Sequence, residues 1–459
     1  MSDKNEQVKE PLWRWSALSE ALCGVNSGVN SGVNSHGPDV QRVVADSRLV
    51  APGDLFVALS GDPGARFNPS YRSAVDGHDF VTQAFSQGAV GALVSKFFDH
   101  NQNTQPLLQV DDTYDGLWAL GTSARKRLRG DVIAVTGSSG KTTAKGFIQA
   151  ALGAYAPPGS FNNHIGVPLS LANAPASSVT GVFEIGTSHP GEVEPLANMV
   201  KPDIAVLLNV HTAHIENFEN YDSLREEKIS IFNVLDDKSL AISDVQLKLT
   251  FGRTFGLHAA ADAWVEALVG DMATINIAGQ SYKAKVPGGG MHRAQTLAAT
   301  LLVCQCLGRD LLAACELPDT SIPLGRGNVR QTGSVAVYDD SYNANPASML
   351  ASITNFSQGD AGGFNIAVIG EMLELGELAE PGHMALYDVL SALDQVYCVG
   401  EGTKALARRL GCHWCESADD KLCQSIVSHG ASDTRILVKG SNRVFWVHGF
   451  VDRLMQHLE

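Results

Sequence analysis

Short apolar runs recur along the chain at intervals that fit strands separated by helices. Residues 54–59 and 90–94 come first, with a helix-like stretch at 79–87 between them, and predict a small α/β domain. Residues 132–135, 181–186 and 204–210 follow. Their apolar positions are continuous rather than alternating, as in strands of a parallel sheet buried on both faces. After Pro323 the alternation restarts, with runs at 335–338, 366–369, 396–399 and 436–438 each leading into a helical stretch. The expected fold is α/β in three domains, residues 1–111, 112–323 and 324–459: a small N-terminal α/β domain, a central parallel sheet and a C-terminal Rossmann-like domain. Two stretches interrupt the first. Residues 24–35 repeat Gly-Val-Asn-Ser three times, too short a period for a solenoid, and 61–73 are rich in Gly, Pro and Ser; both read as surface insertions.

A length of 459 residues suits about three domains, and 44% apolar residues suit a globular chain. The formal charge of −15 opposes a nucleic-acid surface, so no nucleic-acid partner is expected and any anionic ligand must be met by local clusters. No segment reads as a membrane span, and the charged N-terminus lacks a signal-peptide core, which predicts a cytoplasmic protein. Eight scattered cysteines form no disulfide framework. Cys412 and Cys415 have no second C-x-x-C pair, so they read as incidental thiols rather than half a zinc site.

The first strand of the central sheet breaks into Thr136-Gly137-Ser138-Ser139-Gly140-Lys141-Thr142-Thr143. Glycines let backbone N–H groups turn toward phosphate oxygens, Lys141 neutralises their charge and Thr142 offers a hydroxyl to magnesium. The loop therefore predicts a bound nucleoside triphosphate, ATP on this charge balance. Glu184 interrupts an apolar strand, where a carboxylate needs a cation such as magnesium or a structural ion pair. His211 and His214 follow the next strand without a motif to support them. Lys228 falls with Leu224, Ile231 and Leu235 on the apolar stripe of a helix that Asp222 or Ser223 would cap. Such a lysine either snorkels to water or has a depressed pKa and is open to modification. Asn162, Asn163 and His164 offer a polar loop before a helix, and Asp339, Asp340, Ser341, Tyr342, Asn343 and Asn345 cluster past a strand, where side chains reach a ligand.

Together these segments resemble the Mur ligases, ATP-dependent amide-forming enzymes of peptidoglycan precursor synthesis. The short loop at 136–142 is similar to the family's T-G-x-x-G-K-T, and 184–192 to its E-[MI]-G-x-S-x-x-G-[ED] segment. Residues 342–346, 370–377 and 438–441 mark the branch that adds D-alanyl-D-alanine to UDP-N-acetylmuramoyl-tripeptide. The resemblance implies that Lys141 binds the β- and γ-phosphates, that Thr142 and Glu184 hold one magnesium and His214 serves a second, and that Lys228 is carbamylated. It further implies that Arg326, Asp340 and Asn343 complete the nucleotide site, and that Asp46, Ser47, Arg48, Asn163 and Asn345 lie toward the UDP-sugar and peptide substrates. The protein is then expected to act as a monomer. The family's H-N-x-x-N-A reads here as His292-Arg293-Ala294-Gln295-Thr296-Leu297, without either asparagine, leaving His292, Gln295 and Thr296 to meet the base. The other readings are a Mur-ligase relative with a different carboxylate and amine, or a nucleotide-binding partner protein without ligase activity.

Overall fold

The computed structural model describes residues 10–25, 36–63, 73, 75–99, 105–359, 363–430 and 433–459. Most of both insertions lies outside them. The chain divides into two compact units, the first comprising 1–133, 155–187 and 194–202, the second 134–154, 188–193 and 203–459.

In the first unit β1 (Arg42–Val44), β2 (Asp54–Val57), β3 (Gly91–Ser95) and β4 (Leu107–Val110) pair in chain order, all parallel. Phe56, Ala92 and Val94 pack on Val81 and Ala84 of the Val81–Ser86 helix, so the predicted helical stretch covers one face of the sheet. The Thr113–Arg127 helix starts where the Asp112 carboxylate accepts N–H bonds from Tyr114 and Asp115. It lies close against the Gly166–Ala172 helix. A side chain at Gly121 would come within 2.8 Å of the Pro168 backbone, so glycine allows the approach. Asn173, just past that second helix, accepts from the Val43 N–H and donates to its carbonyl, tying the helix to β1.

β5 (Asp131–Thr136) leads from the first unit into the second, and β6 (Thr180–Glu184) belongs to the first. The second unit continues with β7 (Ile204–Leu207), β8 (Ala241–Asp244), β9 (Arg253–Gly256), β10 (Ala263–Val269), β11 (Met272–Ile277) and β12 (Gln280–Lys285). These order as β12-β11-β10-β9-β8-β7-β5. β7 to β10 are parallel, as expected, but β10 to β12 run antiparallel. That extension was not expected. The β11–β12 hairpin turns on Ala278 and Gly279, both at positive φ, and β11 alternates buried with more exposed positions because only one of its faces is covered.

The C-terminal sheet holds β13 (Asn328–Thr332), β14 (Val335–Asp340), β15 (Phe364–Gly370), β16 (Gln395–Val399), β17 (His413–Cys415) and β18 (Thr434–Lys439), ordered β13-β14-β18-β15-β16-β17. All its pairings are parallel except β13–β14. Cores of buried aliphatic and aromatic residues cover both faces, which fits the continuous apolar runs read as Rossmann-like. The eight cysteines are unbridged.

Candidate active site

The phosphate loop is the turn between β5 and the Lys141–Leu152 helix. Gly140, the helix N-cap, has φ +81°, a left-handed backbone that favours glycine, and the helix N-terminus behind it attracts anions. The segment after β7 braces the loop. The Ser138 N–H donates to the Asn209 carbonyl, the Ser139 N–H to the Asn209 side chain, and the His211 N–H to the Ser138 hydroxyl. Lys141 Nζ donates to the Gly137 carbonyl at 2.6 Å.

Lys228 sits in the Tyr221–Ile229 helix, capped by Asn220 in a capping box with Ser223 rather than by Asp222 or Ser223 as expected. Asn220 prevails because its own backbone is extended while its side chain reaches the Ser223 N–H. Lys228 is 1% exposed, so it does not snorkel. Burial first, then the positive charge of Lys141, lowers its pKa to about 7. Its neighbour Glu227 accepts the N–H groups of Gly191, Glu192 and Val193, and Glu192 those of Ser188 and His189. His214 adopts φ +62°, a strained conformation for a non-glycine residue, and its Nδ1 pairs with Glu374. That hydrogen bond, more than burial opposes it, draws the Glu374 carboxyl below its usual range. It also orients the ring, as a carboxylate behind a metal-binding imidazole does.

A cavity of about 230 Å³ opens within this unit. It brings together Ser139, Gly140, Thr143, His292, Thr296, Arg326, Asp340, Asn343 and Asn345, all expected from sequence. Arg326 Nη2 donates to the Thr142 hydroxyl at 3.3 Å, and its guanidinium lies 4.2 Å from the Tyr342 ring centroid. Burial alone would raise the Asp340 carboxyl, but Lys439 at 2.8 Å, with Arg293, holds it below its usual range. Burial, reinforced by Arg293, pushes His292 down to about 3, so its imidazole is neutral. Thr296 donates its hydroxyl proton to the His292 carbonyl at 3.0 Å, whereas Gln295 donates to Asp244 at 2.7 Å. Asn345 caps the Pro346–Gln358 helix.

The first unit holds the other predicted residues. Glu184 ends β6 and accepts from Ser160 at 3.1 Å. Asn163 accepts the Ile165 and Gly166 N–H groups before the Gly166–Ala172 helix. Asp46 caps the short turn holding Ser47 and pairs with the exposed Arg48 at 2.6 Å.

Residues 135–304 match the Mur ligase middle domain, and 325–442 match the Mur ligase, glutamate ligase domain. A UDP-N-acetylmuramoyl-tripeptide--D-alanyl-D-alanine ligase of Treponema pallidum strain Nichols is 30% identical over 381 residues, 77% of this chain and 80% of that protein. This chain belongs to the Mur ligase family. A ligase of the same name from Rickettsia prowazekii strain Madrid E is 29% identical over 417 residues, covering 86% of the chain and 88% of that protein. Crystal structures agree. MurF from Acinetobacter baumannii superposes with a TM-score of 0.76 at 26% identity, over 97% of this chain and 99% of that one. MurF ligase from Thermotoga maritima in complex with ADP gives 0.72 at 27% identity, over 91% and 96%. The chain thus has the three-domain Mur ligase fold. Glu374, Lys439 and Ser160 take no role from the sequence of this Mur ligase. Glu374 and Lys439 fall within the family-like segments 370–377 and 438–441; Ser160 carries no signal, because its partner Glu184 is 24 residues away.

Proposed function

We propose that this Mur ligase uses ATP to join D-alanyl-D-alanine to UDP-N-acetylmuramoyl-tripeptide, giving the pentapeptide precursor of peptidoglycan, with ADP and phosphate. One observation carries the reading: Arg326, which precedes the C-terminal sheet, reaches the Thr142 hydroxyl of the phosphate loop, so elements from both ends of the second unit build one nucleotide cavity. Residues 1–111 then receive the UDP-sugar through Asp46, Ser47 and Arg48, 112–323 bind ATP, and 324–459 close the site. The enzyme is expected to work as a cytoplasmic monomer. No helix among the described residues is long and apolar enough to cross a membrane.

The tripeptide carboxylate attacks the γ-phosphorus, forming an acyl phosphate and releasing ADP. The dipeptide amine then attacks the acyl carbon, loses a proton and expels phosphate from a tetrahedral intermediate. A carboxylate must approach a polyanion, so charge neutralisation governs the first step. Lys141 and the amides after Gly137 hold the phosphates, and Arg326, beside Thr142, offsets charge developing on the transferring phosphate. By the family resemblance Asn163 in the first unit and Asn345 in the second are each substrate residues, and Asp340, Asn343, His292 and Thr296, which line the cavity, would serve the nucleoside. The oxygen donors Thr142, Glu184 and a carbamate on Lys228 are the hard ligands that magnesium prefers, and His214 adds a nitrogen. By the family resemblance Thr142 would be a magnesium ligand in the second unit and Glu184 one in the first; His214, with its Glu374 partner, and a carbamylated Lys228 would serve a second ion. When bound, magnesium screens the phosphate oxygens and polarises phosphorus. Lys228 fits carbamylation because a buried amine with its pKa near 7 is partly neutral at neutral pH. Its nitrogen forms a bond to carbon dioxide and releases one proton, leaving a carboxylate-like group.

Phosphate release should require ATP, the UDP-linked tripeptide and D-alanyl-D-alanine together. Release indifferent to the dipeptide would count against the proposal.

A further inference from the structure

Arg293 lies near the start of the Met291–Cys306 helix and is 6% exposed. A buried guanidinium is costly unless its N–H groups are taken up. Nη1 donates to the Gly288 carbonyl at 2.7 Å and to that of Gly289 at 3.2 Å, holding the turn that leads into its own helix. Nη2 reaches away from that helix and donates to the Arg326 carbonyl at 3.0 Å.

The receiving segment is shaped around this group. Gly327 has φ +91°, and a side chain there would sit 1.9 Å from Arg293 Nη2. The segment is otherwise fastened to the C-terminal sheet, since the Gly327 N–H donates to the Asp339 carbonyl and the Tyr342 N–H to that of Gly325. Arg293 therefore adds an anchor from the nucleotide-side helix to the backbone of the residue whose side chain touches Thr142.

We infer that Arg293 is a positioning residue: it fixes the Arg326 backbone so that the Arg326 guanidinium meets the phosphate loop, and it sets nucleotide affinity through Arg326. This rests on reading the cavity as a nucleotide site. Lysine cannot replace it, because a point charge lacks the planar fork that serves carbonyls on two segments at once.

The test is a double-mutant cycle read by calorimetric binding of ADP and of a non-hydrolysable ATP analogue to the full chain. Arg293→Lys should weaken binding on the order of tenfold, the loss of about one charge-assisted hydrogen bond. In an Arg326→Met background the same change should have less than about a twofold effect, because its route is already gone. With substrates present, KM for ATP should rise while KM for the dipeptide stays level, a split that general loosening of the fold would not give. Equal losses in both backgrounds, or none in the wild-type background, would overturn the inference. If Arg293→Lys does not fold, Gly327→Ala, which crowds the guanidinium from the opposite side, must show the same dependence on Arg326 or the inference fails. A wild-type chain that binds neither nucleotide overturns both this inference and the function it rests on.

Discussion

In the proposed mechanism Lys228 concentrates the chemistry in one buried nitrogen. Its ordinary pKa is 10.5, and the fold lowers it to about 7. Below the folded value both the folded and unfolded chains carry the proton, and the fold bears the full cost of an enclosed ammonium. Above the unfolded value neither does, so stability from this site rises with pH across that window. Lys228→Met should therefore raise the thermal midpoint at about pH 6 and lose that advantage by about pH 10, followed by calorimetric scans. Activity should behave differently. Lys228→Ala should abolish most turnover, short carboxylic acids should restore part of it, and labelled bicarbonate should give the wild-type enzyme a carbamate carbon signal absent from Lys228→Ala. Because carbon dioxide reacts with the neutral amine, wild-type activity at limiting bicarbonate should fall as pH drops through about 7. Full activity of Lys228→Ala would remove the carbamate from the mechanism.

Among the elements, the helix bearing Lys228 does two jobs. Asn220 starts it, and Glu227 gathers the amides of Gly191, Glu192 and Val193. Asn220→Ala should cost about 1 kcal/mol in denaturant unfolding at unchanged m-value. Glu227→Ala should cost roughly 1–3 kcal/mol and also depress turnover, since it releases residues 191–193, which follow β6, from the helix that bears Lys228. Strands buried on both faces were readable from sequence because their apolar runs are continuous. The antiparallel β10–β12 extension was not, because half-covered strands such as Met272–Ile277 carry a weak alternating signal and the β11–β12 turn uses Ala278 where asparagine would announce it. The cap at Asn220 was missed for a similar reason: two further candidates, Asp222 and Ser223, follow within three residues, and only backbone geometry chooses among them.

At the scale of the molecule, the phosphate loop, Lys228 and Asp340 stand out in the sequence because each breaks a local rule: a glycine-rich turn, a lysine on an apolar stripe, polar residues crowded after a strand; Arg326 comes only through the family resemblance. What sequence could not supply was pairing across distance. Glu374 reaches His214 over 160 residues, Lys439 reaches Asp340 over 99, and Arg293 holds Arg326 over 33. No periodicity encodes such contacts. The replacement of the family asparagines by Arg293 and Thr296 looked like a loss at the base; in the fold, Arg293 is recruited to the Arg326 segment and Gln295 to Asp244. The central claim is that one ATP activates one tripeptide carboxylate for capture by D-alanyl-D-alanine. Mass spectrometry of a complete reaction, with ADP and phosphate counted in parallel, tests it most directly. The account predicts UDP-N-acetylmuramoyl-pentapeptide in one-to-one ratio with ADP and with phosphate; ATP turnover with the tripeptide recovered unchanged would contradict it.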